Sequence, residues 1–250
     1  MRVHHLLALG ALALLGLTAS SAQALGPQTA EDELFRGFIV KMEQALSELR
    51  DATYVLHKRD RADGTYTEER VMEVRFRVPD DVYIVYRGHM EGRRILYKGE
   101  GWNGGKLRVD PGPLLPTLDL DIRGSLATEG ERYTVREVRL NHPAATISRD
   151  CGLVRDHASW TPRVEDLGTK TITGRRAHCF DTRSPKDQDA SLYAYRTEIC
   201  FDEATGFPIE LRSWDIDGGA MQLVEWYRYD ELRVNVGLSD ADFDEAALKM

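Results

Sequence analysis

The chain has 250 residues and a formal net charge of −8, with 33 basic residues against 41 acidic ones, and no concentrated basic stripe offsets that balance. These features argue against a nucleic-acid partner. The length suits one large β domain, which routinely reaches roughly 200 to 250 residues, and no Pro-, Gly- or Ser-rich linker divides the chain. The three cysteines form no CxxC or His-Cys cluster of the kind zinc requires, so no structural metal site is expected.

At the N-terminus, Arg2 precedes the apolar stretch Leu6 to Leu17, which gives way to small residues and ends in Ala22-Gln23-Ala24. This is the pattern of a cleavable secretory signal peptide over residues 1–24, too short in its apolar part to span a membrane. No cysteine stands at the cleavage point to accept a lipid. The expected mature chain, residues 25–250, is a single exported domain, and an oxidising bacterial periplasm is its natural destination.

Glu31 to Arg50 places Leu34, Phe35, Phe38, Ile39, Met42, Leu46 and Leu49 at helical spacing with acidic residues in the first turn. The spacing predicts an amphipathic helix whose apolar stripe needs a partner surface. From Ala52 the pattern turns to β: Thr53 to His57, a turn near Asp63-Gly64, then Tyr66 to Val78. In that last run Met72, Val74, Phe76 and Val78 alternate with charged residues, the period of a strand with one wet face. Asp81 to Arg87 is apolar on both faces and is therefore covered on both sides or lines an apolar cavity.

Gly92 to Gly112 holds short apolar pieces broken by glycine and ended by Asp110-Pro111-Gly112, which predicts tight hairpins with no catalytic cluster. Its basic residues, Arg93, Arg94, Lys98, Lys106 and Arg108, read as the solvated face of strands or as a rim for an anion. Pro111 to Pro116, followed by Thr117 to Leu120, reads as a draped crossing that cannot sit inside a sheet. Glu129 to Arg139 is ambiguous between helix and strand. Asn141-His142-Pro143 reads as a break, and Gly152 to Glu165 as a further helix limited by Pro162. Strands are then expected over Thr171 to Thr182, Leu192 to Phe201, Phe207 to Ile216 and Met221 to Val236, with turns at Asp202 to Gly206 and Asp217 to Gly219. A short C-terminal helix begins near Ser239.

Folded as an antiparallel hairpin, the runs holding Cys179 and Cys200 bring the two cysteines opposite or nearly so, which predicts a disulfide; the alternative is two buried small apolar side chains. Cys151 is left buried or free. The element order implies an α+β, mainly β fold in which an antiparallel sheet curls far enough to bury helices against its concave face.

Tyr97-Lys98-Gly99, Asn103 to Leu107, Asp110-Pro111-Gly112 and Pro116 to Leu120, together with Tyr229 to Leu238 and Asp240 to Asp244, are similar to an uncharacterised family of exported bacterial proteins. That family resembles the LolA/LolB superfamily of periplasmic lipoprotein carriers and receptors. The resemblance implies an unclosed antiparallel β-barrel with helices packed as a lid, a cavity for a lipid or for the acyl chains of a lipid-modified protein, transient contact with a membrane surface, and no cofactor. The superfamily has no catalytic residue to transfer. Its functional arginine has no single counterpart among Arg70, Arg75 and Arg77.

On that reading Val74, Phe76, Ile84, Tyr86, Leu96 and Leu211 line the cavity, although each is equally what a sheet core requires. Trp214, Trp226 and Tyr227 stand at the rim or fill the sheet. A second reading makes the curved sheet an envelope interaction or sensing module that binds a partner protein. Catalysis has little to stand on. His57, His89, His142, His157 and His178 lie in no nucleophile elbow or metal-binding helix, and the carboxylates Asp119 with Asp121 and Asp240, Asp242 with Asp244 suit turns and caps.

Overall fold

The computed structural model describes residues 29–250 except 63, 89, 130 and 158–162. The predicted leader and its cleavage point lie outside the described residues.

Alternating burial organises the sheet. In β1 (Asp51–Ala62) Asp51 is buried at the strand's start and then every second residue from Ala52, namely Ala52, Tyr54, Leu56, Lys58 and Asp60, and β3 (Arg70–Arg77) repeats the alternation with Met72, Val74 and Phe76. Their register pairs Tyr54 with Val74 and Leu56 with Met72, so the two strands present one continuous apolar face. β4 (Asp81–Arg87), β5 (Arg94–Lys98), β6 (Leu107–Asp110) and β7 (Leu118–Leu120) extend the sheet on one side. On the other side follow β12 (Ala220–Val234), β11 (Pro208–Asp217), β10 (Arg196–Asp202), β9 (Arg175–Arg183) and β8 (Arg163–Ile172). The two-residue β2 (Thr65–Tyr66) pairs with β1 alone. All the pairings are antiparallel, and the path runs from β7 to β8 without closing. The fold is the unclosed antiparallel barrel with helices in its concave face.

α1 (Ala30–Glu48) starts at Thr29, whose hydroxyl accepts from the Asp32 amide while the Asp32 carboxylate accepts from the Thr29 amide. That reciprocal cap and the acidic first turn fix where the helix begins. Its buried stripe, Phe35, Ile39 and Met42, lies on the sheet, and Phe35 meets Phe180 edge-on at 5.1 Å between ring centroids. α3 (Asn141–Asp156) packs beside α1.

Two expectations are corrected here. Asn141-His142-Pro143 opens α3 and does not break the pattern, because the amides of a first turn have no intrahelical acceptor and proline forfeits nothing there. The helix therefore precedes the expected span, and Glu165 already lies in β8. The run Thr171 to Thr182 is not one strand but the end of β8, a turn at Thr173 and Gly174 with φ of 47° and 81°, and most of β9. Both turn residues take the left-handed conformation that matches strand twist in a tight hairpin, and only Gly174 signals it by residue type.

Cys179 and Cys200 face each other in the β9–β10 register and form a disulfide; Cys151 is free and half-buried. Closing a loop over a sequence separation of 21 residues restricts the unfolded chain. In the chain-entropy account such a loop contributes about 3 kcal/mol.

The chain's end crosses the convex face. The Asp51 carboxylate accepts from the amides of Val236 and Gly237, a Ser239–Asp242 capping box opens a 3₁₀ turn at Asp240–Phe243, and Phe243 is buried between Tyr83 and Leu96. The one-turn helix α4 (Glu245–Leu248) follows.

Candidate functional site

The concave face has an apolar floor and a polar end. Val74, Phe76, Ile84, Tyr86 and Leu211 all belong to the core on this face, with Leu107 and Val109 continuing it toward the β7 edge. Leu96 does not join them. It pairs with Tyr83 in the β4–β5 register, and that pair points to the convex side, where it packs under Phe243. A strand buried on both faces offers no polar alternation from which to tell inside from outside, so the choice of Leu96 over its neighbours Ile95 and Tyr97 had no basis in the pattern.

Two kinds of structure cover the floor. Over β8 to β10 lies α1, docked through Phe35 and Phe38 on Phe180 and Phe201. Over β3 to β6 lies residues 121–140, a largely irregular segment with one short helix, α2 (Ser125–Thr128). Val135, Val138 and Leu140 insert from it into the core. Toward its C-terminal end it is anchored by polar contacts: the Tyr54 hydroxyl donates to the Val138 carbonyl at 2.9 Å, Arg136 donates to the Tyr97 hydroxyl, and Arg139 reaches Asp80 at 2.6 Å. The proline-rich run before this segment turns apolar side chains outward: Leu114 is 94% exposed, and Leu115, Leu118 and, in α2, Leu126 are also exposed.

The polar end is built by strand register. Lys58 and Asp60 of β1, Glu225 and Tyr227 of β12 and Ser213 of β11 are all buried, with Asp60 opposite Glu225 and Glu225 opposite Ser213. Lys58 Nζ lies 2.8 Å from Asp60 and 2.5 Å from Glu131 of the covering segment, and Arg70 also binds Glu131. The Tyr227 hydroxyl donates to Asp60 at 2.8 Å. Arg132 Nε lies 2.8 Å from Glu225 and its Nη2 3.7 Å from Asp215, which Lys186 also holds at 2.5 Å.

These environments act on the titrating groups in opposite directions. Burial opposes the Lys58 charge, but Glu131 and Asp60 outweigh it and hold the ammonium above the usual lysine range. Burial pushes Glu225 up to about 7, against the pull of Arg132 and Tyr133 toward the charged form. The buried Ser213 hydroxyl, opposite Glu225, has no hydrogen-bond partner among the described residues. An open cavity of about 660 Å³ lies at this end, lined by Arg61, Ser125, Leu126, Glu131 and Arg132 among others.

A pH effect follows from Glu225. Its folded-state pKa exceeds the ordinary carboxylate value of 4.5, so between about 4.5 and about 7 the folded state holds a proton that the unfolded state has lost. Its contribution to stability is complete below that window and falls as pH rises through it. Glu225→Gln, which keeps the shape without the titration, flattens this part of the stability profile in urea unfolding measured across the window; an unchanged slope would refute the assignment.

A family model described as "Protein of unknown function (DUF1571)" matches residues 49–249. The chain belongs to this family. No curated protein matches it. Among solved structures, Mycobacterium tuberculosis lipoprotein LppX aligns at 11% identity over 85% of this chain and 100% of its own, with a TM-score of 0.49. A putative outer-membrane lipoprotein-sorting protein domain from Vibrio parahaemolyticus aligns at 11% identity over 85% and 98%, TM-score 0.39. The Pseudomonas aeruginosa MucA/MucB complex aligns at 17% over 83% and 59%, TM-score 0.43.

Among the described residues of this DUF1571 chain, no group of three or more His, Cys, Asp or Glu is placed to hold a metal ion. His57 lies on the convex side between Glu69 and Asp230, and His178 sits at the β8–β9 hairpin with Asp166 at 2.6 Å. His142 packs near Tyr133, and His89 lies outside the described residues. Asp119 is paired with Arg108 and Asn103, and Asp240 with Arg77. Trp214 and Trp226 are half-buried under Arg196 and Arg228, while Tyr227 belongs to the polar end.

The polar end itself is what sequence reasoning missed. The signal was present: Tyr54, Leu56, Lys58 and Asp60 share one face by alternation, as do Tyr229, Tyr227 and Glu225. A face that changes from aromatic and aliphatic to charged along both of two long strands marks where the interior turns polar.

Proposed function

We propose that this protein is an exported, non-catalytic carrier that holds the apolar part of an amphiphile, a lipid or the acyl chain of a lipid-modified protein, against the concave floor around Val74, Phe76, Ile84, Tyr86 and Leu211. The observation that carries the reading is the unequal cover of that floor. One half lies beneath the long helix α1, whereas the β3 to β6 half lies beneath an irregular segment preceded by outward-facing leucines. Displacing such a segment exposes an apolar trough, and each ligand methylene buried there contributes roughly 0.8 kcal/mol. Leu96, on the opposite face, has no part in it. A periplasmic location follows from the leader over residues 1–24.

The exposed Leu114 and Leu115 also favour a second reading, in which the same region meets an envelope protein. Native mass spectrometry of the protein purified from a bacterial periplasm, with organic extraction of bound species, separates the two. A stoichiometric acylated species is the expected result. A clean apo mass together with no uptake of a fluorescent fatty acid would refute the carrier reading and leave the interaction module.

A further inference from the structure

Apolar burial accounts for the floor but not for the charge order at its polar end. The sheet side presents two cations, Lys58 and Arg70, next to two carboxylates, Glu225 and Asp215. The covering segment inserts two consecutive side chains of opposite sign into them. Glu131 takes the cationic half, on Lys58 and Arg70, and Arg132 the acidic half, 2.8 Å from Glu225 and 3.7 Å from Asp215. Lys58 and Glu225 lie on adjacent strands two residues out of register, a diagonal offset that keeps both side chains on one face.

The fit is complete on the first half and incomplete on the second. Glu131 is held by two cations, whereas the buried Glu225 is met by one edge of the Arg132 guanidinium and by the Tyr133 hydroxyl, and the buried Ser213 hydroxyl opposite it has no hydrogen-bond partner among the described residues. A compact ammonium carries three diverging N–H donors and can serve a carboxylate and a hydroxyl together; a guanidinium reaching in through one edge serves neither well. The strands contribute Lys58 and Arg70 against Asp60, Asp215 and Glu225, and Lys186 from the β9–β10 loop, on Asp215, brings the formal charges to balance. Such a site favours a group carrying both signs over a net anion or cation. The way in is at hand, because Glu131 and Arg132 also form part of the wall of the 660 Å³ cavity.

We infer that Glu131 and Arg132 are an internal stand-in for a zwitterionic lipid head group, and that the amphiphile held on the floor carries an anionic group beside an ammonium. On displacement of the segment, the anion sits on Lys58 and Arg70 and the ammonium on Glu225 and Ser213. The inference rests on the carrier reading and names its ligand class.

The test is calorimetric titration of the full-length mature protein with three lysolipids of one acyl chain, at a pH above the Glu225 titration. The heads are phosphoethanolamine (zwitterionic), phosphoglycerol (anionic) and glycerol (neutral), and free phosphoethanolamine is titrated alongside. Expected are an affinity about tenfold tighter for the zwitterionic lipid than for either other, a difference of about 1.4 kcal/mol, and far weaker binding of the free head. Glu225→Gln brings the three lipid affinities together. Arg132→Ala removes the internal competitor and tightens the zwitterionic lipid selectively, an effect that a purely structural ion pair would not produce. Equal affinity for the three lipids in the unmutated protein overturns the head-group inference and leaves the carrier reading standing. Free phosphoethanolamine binding as tightly as its lysolipid overturns it as well, by showing a site for a soluble zwitterion. No binding of any lipid overturns both.

Discussion

Lys58→Met lowers the stability of the folded protein by about 3–5 kcal/mol, read as a fall in the urea midpoint at unchanged slope. The side chain is 4% exposed and lies between Asp60 and Glu131, which are themselves largely excluded from water. Methionine matches its length but leaves Asp60 with neutral donors, the Tyr227 hydroxyl and the Arg132 amide, and leaves Glu131 with Arg70. A buried carboxylate deprived of its cation suffers desolvation without the Coulombic return. Adding Glu131→Gln to Lys58→Met recovers part of the lost stability, because the second change removes one of the stranded charges. A loss below about 1 kcal/mol would place Lys58 with surface ion pairs and contradict its burial.

The same residues show how far the sequence could be read. α1, the doubly covered strand Asp81 to Arg87, the hairpins from β9 to β12 and the Cys179–Cys200 pair are legible, because each rests on local periodicity or on turn residues close in the chain. The failures share a different cause. The α3 boundary turned on whether Pro143 ends a helix or begins one, and proline suits both positions, so only the packing of α3 beside α1 decides. The β8–β9 turn hid because Thr173 takes a positive φ that its residue type does not announce. Leu96 was misplaced because the register linking β4 to β5 is a tertiary fact. The polar end was the hardest to see as a site. Its members come from residues 58, 60, 70, 131, 132, 213, 215 and 225, and only the sheet order that sets β1 between β3 and β12 brings them together.

That assembly bears on how the cover can move. The covering segment is fastened midway by the ion pairs of Glu131 and Arg132 and near its end by Arg139 on Asp80, with apolar insertion by Val135 and Val138 between. Ion pairs that a suitable ligand can replace one for one keep such a segment closed when empty without making its opening prohibitive. The cover formed by α1 is of another kind, since it is seated on the sheet by the aromatic packing of Phe35 and Phe38 on Phe180 and Phe201, with Lys41 donating to the Glu203 carbonyl at its side.

Phe201→Ala tests that second cover and carries the other large effect. The ring is fully buried, stacks on Phe38 at 5.7 Å between centroids, and meets Phe35 and Phe180 at 6.2 Å. Truncating it removes the transfer energy of the ring and leaves a void beneath α1 that the sheet backbone cannot close, for a loss of about 3–5 kcal/mol. The damage is expected to be local before it is global. Amides of α1 lose hydrogen-exchange protection more than those of β1 and β12, because the lost ring is part of the seat of α1 on β9 and β10, whereas β1 and β12 are held in the sheet by their neighbours. Phe243→Ala provides the comparison, removing an equally buried ring from the convex cluster of Tyr83 and Leu96. It lowers global stability comparably while leaving α1 protected relative to the sheet. If both substitutions loosened α1 to the same degree, the helix would be an inseparable part of the fold, and ligand entry would be confined to the segment fastened by Glu131 and Arg132.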